Sequence, residues 1–182
     1  MAKSKLRQVL DDRFGGVIRH GAHSPDSQAC ALEVASIARG KPWSDSPASA
    51  NLPDIRLLND GPWSSDEVRT KAILPLMEAL WNRWPKWSDA QKRDYMKRVS
   101  TRNIGEVLPL ALRAVGLEAE AVRCEKEHSI EAARSAASAE SAAQLAASAA
   151  QLAAQSAAWS ADDVLKLACK IWIEEARRKS SA

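Results

Sequence analysis

The sequence predicts an all-α protein: a compact helical N-terminal domain at residues 1–116, interrupted by an irregular Pro-rich loop at 40–63, followed by an Ala-rich helical tail at 117–182. Three observations lead there. Apolar residues recur at helical spacing through most segments. β-branched residues are sparse after Val122, so few stretches suit a pleated, half-buried sheet. Residues 117–182 contain neither Gly nor Pro, and 129–161 hold 16 alanines, the strongest helix former.

The elements follow in chain order. Residues 3–14 read as a short helix with Leu6, Val9 and Leu10 on one stripe, closed by Gly15-Gly16. A loop carrying Arg19, His20 and His23 leads to Ser24-Pro25-Asp26, a helix start with a hydroxyl cap and Pro in the first turn. That helix is expected to run to Arg39, with Cys30, Val34, Ile37 and Ala38 on its apolar face and Cys30 about two turns in. Pro42, Pro47, Pro53 and Pro62 then mark the irregular loop. Its Trp43, Leu52, Ile55, Leu57, Leu58 and Trp63 predict that it packs on the core. Ser64 and Glu67 have capping-box spacing, so a helix is expected over 65–84, kinked at Pro75 and ended by Pro85. Ser88-Asp89 caps another to Val99, and a further one covers 102–115 around Pro109, ending at Gly116.

In the tail, Ser-Ala-Ala-Gln-Leu-Ala-Ala occurs at 141 and again at 148. Leu145, Leu152 and Trp159 are seven apart and form a seam flanked by alanines such as Ala149, which permit close approach of another helix. The seam is read as an oligomer interface, against the alternative of a free, solvated single helix. Beyond it the apolar side rotates to Val164, Ala168, Ile171 and Trp172, so the helix either breaks near Ser160 or changes partner there.

A formal charge of +3, with acids and bases interleaved, gives no footprint for nucleic acid. No apolar run is long enough to span a bilayer, and charges interrupt any leader-like N-terminus, so a cytoplasmic protein without a membrane partner is expected. Cys30, Cys124 and Cys169 are widely spaced and odd in number, which suits a reducing compartment.

Catalytic motifs are scarce. His20, His23, Cys30 and Glu33 carry metal-ligand chemistry, but their spacing matches no zinc pattern, and loop histidines with a buried thiol explain them as well. The same cluster would serve a metal- or thiol-dependent enzyme. Asp45, Asp54 and Asp60 sit in turn-like sequence and are read as turn caps. Trp43 and Trp63, with Arg19, Arg39 and Lys41 nearby, offer aromatic planes and cations that suit a nucleobase or phosphate; both tryptophans equally suit the core. No cofactor is expected.

Cys30-Ala31-Leu32-Glu33, the run from Ala38 through Gly40-Lys41-Pro42-Trp43-Ser44-Asp45 to Pro47, and Leu57-Leu58-Asn59-Asp60 together resemble an uncharacterised family of bacterial and phage proteins with alanine-rich helical tails. The resemblance implies no activity. Its phage association implies a small helical protein that sequesters a host immune protein or its nucleotide-like signal. The expectation is therefore a non-enzymatic, homo-oligomeric interaction protein. Its binding face for a protein or small anion is expected to draw on Arg19, His20, His23, Arg39, Lys41, Trp43, Asp45, Asn59, Asp60 and Trp63.

Overall fold

The computed structural model describes residues 4–20, 28–136 and 161–178. Within them the chain is all-α, as the periodicity predicts, with one isolated bridge at Gln28. Helix α1 (Lys5–Phe14) is capped by the Ser4 hydroxyl, which accepts from Arg7 N–H at 3.2 Å, and ends on Gly15 in the left-handed region.

The second helix departs from expectation. Helix α2 spans Ala31–Ala38, and Cys30 is its N-cap rather than a mid-helix residue. Two side chains fix the start there. Glu33 Oε2 accepts the Cys30 N–H at 2.7 Å, and Asn59 Oδ1 accepts the Ala31 N–H at 3.2 Å. Gln28 to Cys30 are extended, and Arg19 N–H donates to the Ala29 carbonyl. Ser24, Pro25 and Asp26 lie outside the described residues.

The 40–63 segment is also more ordered than an irregular loop. Pro47 opens the single turn α3 (Pro47–Ala50), and Asp54 caps α4 (Arg56–Asn59) by accepting from Arg56 N–H. Leu52, Ile55, Leu58 and Trp63 pack inward as expected, but Leu57 does not. On a one-turn helix that buries Leu58 and Asn59, the neighbouring residue must face out.

Helix α5 (Asp66–Trp81) starts one residue later than the capping-box reading, because Ser65, not Ser64, accepts the Val68 N–H. Trp84 lies in a separate 3-10 turn, Trp84–Lys86. Helix α6 (Asp89–Arg102), capped by Ser88 and Gln91, continues through a π-turn at Asn103–Val107 into α7 (Leu108–Ala114). Then come α8 (Glu118–Glu127), α9 (130–136) and α10 (Ala161–Arg177).

The tail is therefore not one helix from its start. His128 has φ 49°, in the left-handed region, and Ser129 Oγ accepts the Ala132 N–H to begin α9. A tertiary contact accompanies the break: the His128 ring occupies the space beside Gly105 that a Cβ would fill. The seam residues Leu145, Ala149, Leu152 and Trp159, and the expected break near Ser160, lie outside the described residues.

Core packing runs across the 116/117 boundary. α10 returns Ala168, Cys169, Trp172 and Ala176 to the main core beside α5 and α6, while α7, α8 and α9 share a small cluster around Leu112, Ala121, Cys124 and Ala132. At the α6–α10 contact Trp84, Trp87, Tyr95 and Trp172 interlock, with ring centroids 5.2–6.0 Å apart, and the Tyr95 hydroxyl donates to the Trp172 carbonyl. Beside them Glu175, 0% exposed, accepts from Arg98 at 2.9 Å and Arg102 at 3.3 Å and forms an ion pair with Arg178 at 3.3 Å.

Candidate functional site

A cavity of about 330 Å³ opens at the N-terminal end of α2, where α4, the turn before α3 and the stretch that carries His20 meet. Its walls are His20, Cys30, Leu32, Asp45, Arg56, Asn59 and Asp60. The sequence brings these together by local chemistry. Thr70 Oγ1 accepts the Ile18 N–H at 2.8 Å, and the Arg19–Ala29 backbone bond then sets His20 beside Cys30. Ser36 Oγ donates to the Pro42 carbonyl at 2.7 Å and turns the chain after α2 toward Asp45. Asn59, 2% exposed, joins α4 to α2 and gives its amide to Asp60 Oδ1 at 2.8 Å.

The electrostatics favour a cationic guest. Asp45 and Asp60 are exposed carboxylates on the wall. The one guanidinium there, Arg56, is engaged by Asp54 through Nε at 2.9 Å and a terminal nitrogen at 2.5 Å, and that pairing holds the Asp54 carboxyl below its usual range. The first N–H groups of α2 are taken by Glu33 and Asn59, so this helix end offers no anion hole. Cys30 is a poor nucleophile despite its N-cap position: burial pushes its thiol up to about 12, outweighing the backbone N–H groups of Glu33 and Leu32 that favour the thiolate.

The expected anion clamp is not assembled. Arg39 lies on the Trp81 ring, 3.5 Å from its centroid, and donates to the Trp81 carbonyl. Trp63 is buried, with its indole N–H on the Leu58 carbonyl. Trp43 packs beside Phe14 at 6.1 Å, Arg19 pairs with Asp66 at 3.0 Å, and Lys41 projects into solvent. Among the described residues no three His, Cys, Asp or Glu side chains are placed to hold a metal; Glu33 serves as a helix cap, and His23 lies outside them.

Two features escaped the sequence reading. Arg56 was hidden because only its Asp54 pairing reveals that the cavity carries excess acid. Leu57, 92% exposed on the same turn, looked like core because it sits among apolar neighbours. No protein-family model, curated protein or solved structure matches the chain.

Proposed function

We propose that this chain is a non-enzymatic interaction protein that engages a basic, partly apolar protein surface through the α4 face. The observation that carries the reading is one juxtaposition: an acidic cavity beside a leucine that projects almost fully into solvent from the same helical turn. An apolar anchor next to polar groups that set orientation is the usual build of a protein interface. The closed thiol at Cys30 argues in the same direction, away from thiol catalysis. Of the two sequestered partners that the family resemblance implies, a host protein suits this face and a nucleotide-like anion does not.

Self-association through Leu145, Ala149, Leu152 and Trp159 belongs to the same proposal and rests on the heptad spacing of the sequence. The binding face is tested by NMR titration with a short peptide of alternating arginine and leucine. Amide shifts are expected at Asp45, Leu57, Asn59 and Asp60, and they should vanish in Asp45→Asn/Asp60→Asn and in Leu57→Ser. Shifts that appear elsewhere, or that survive both changes, would remove the face from consideration.

A further inference from the structure

A second concavity, of about 340 Å³, lies between α5 and α10. Its lining includes Ala72, Pro75, Cys169 and Ile173, and four cations, Lys71, Lys166, Lys170 and Arg177, surround them with Glu174. Lys166 and Lys170 reach Asp163 and Glu174 only at 3.7 and 3.9 Å across exposed side chains, so these pairs neutralise little. Lys71 and Arg177 make no ion pair among the described residues. Pro75 has no N–H, so the Lys71 carbonyl one turn back lacks its helical donor and is left for another. From Lys166 to Arg177 the groove runs about 16 Å along α10, long enough for a single helical turn and its flanks.

We propose that the occupant of this groove is α4 of a second copy of the chain, with Leu57 seated on the apolar floor; the proposal rests on reading the α4 face as a partner-binding surface. The two surfaces are complementary in kind. One is a projecting leucine that follows Arg56 on the same turn, with Asp45, Asp54 and Asp60 around that single arginine. The other is an apolar trough bordered by four cations against Glu174 and, beside Lys166, Asp163. Residues 137–160 cannot supply the counter-charge, because Glu140 is their only charged residue. Phosphate-rich surfaces match the cations but leave the apolar floor unused. Exchanged reciprocally between two copies, the contact is isologous and closes as a dimer; made one way only, it is heterologous and closes into a ring or propagates.

The test is a charge swap, read by sedimentation equilibrium and carried out in a Leu145→Glu/Leu152→Glu background so that the tail seam contributes nothing. Asp45→Lys/Asp60→Lys and Lys166→Glu/Lys170→Glu should each weaken self-association by about tenfold or more, because each sets like charges face to face. The chain carrying all four changes should recover it, and an equimolar mixture of the two double variants should form mixed dimers. Circular dichroism melts confirm folding, since all four side chains are exposed. If neither double variant affects association, or the fourfold variant fails to recover it, the inference falls. If the double variants leave association unchanged while Asp45→Lys/Asp60→Lys abolishes binding of the arginine–leucine peptide, the partner is another protein and the α4 binding face itself stands.

Discussion

Single residues in this protein often do work that their sequence context conceals. Glu175 reads as one more acid on a charged helix end, yet it is buried, accepts from Arg98 and Arg102, and pairs with Arg178. Replacing it with Gln keeps the shape and removes the charge, leaving Arg98 and Arg102 facing a neutral amide. The partial exposure of both arginines softens the penalty below that for a fully buried pair, so the expected loss is about 2–3 kcal/mol in a denaturant titration. The thiols make the opposite case, where sequence came close. Cys30 was read as a buried small hydrophobe, and burial pushes its thiol and that of Cys169 up to about 12. A raised folded value means that the neutral thiol stabilises the fold below the unfolded value near 8.5, and that this contribution is lost as pH rises toward 12. Iodoacetamide labelling at pH 8 should therefore be slow at both and accelerate only in denaturant. The melting temperature should fall from about pH 8.5 upward, and Cys30→Ala/Cys169→Ala should flatten that decline.

At the scale of elements, caps made the helices legible where the capping group is local: Ser88 marks the start of α6, and the serines before α5 place its start to within one residue. They were illegible where the cap comes from far along the chain. Asn59 sets the start of α2 from 28 residues away, and nothing near Cys30 announces it. The break at His128 is of the same kind. No Gly or Pro marks it, and histidine tolerates the left-handed region only moderately. The space beside Gly105, in the π-turn 23 positions earlier, receives the ring. A double-mutant cycle tests this pairing. Gly105→Ala should destabilise the native chain, because its new methyl meets the ring. In a His128→Ala background the same change should be neutral or stabilising, since alanine is the better helix former by about 1 kcal/mol. The expected coupling is about 1–2 kcal/mol, and purely additive effects would show that the ring does not depend on the missing Cβ.

For the whole molecule, the governing fact is that the C-terminal helix is core. The predicted division at 116/117 followed a real change in composition, but composition tracks what a helix is made of, not where it packs. Tyr95 and Trp172, 77 positions apart, meet edge to face with ring centroids 6.0 Å apart, and Ser64 and Asp162 hydrogen-bond between the turn before α5 and the first turn of α10. Deleting residues 129–182 would therefore remove part of the main core along with any oligomer seam, and a monomeric product would say nothing about the seam. Substitution separates the two roles. Leu145→Glu/Leu152→Glu places four charges, from two copies, into any paired seam and leaves α10 untouched. The melting temperature at low concentration should stay within a few degrees of the native chain's, because the main core is unchanged. The mass measured by light scattering should fall. If the α4 knob also seats in the α5–α10 groove of a second copy, the fall is incomplete: a weaker, salt-sensitive association remains, and adding Lys166→Glu/Lys170→Glu removes it. An unchanged mass after the leucine substitutions would show that the heptad seam does not join copies, and would leave the α4–groove contact as the surface to account for assembly.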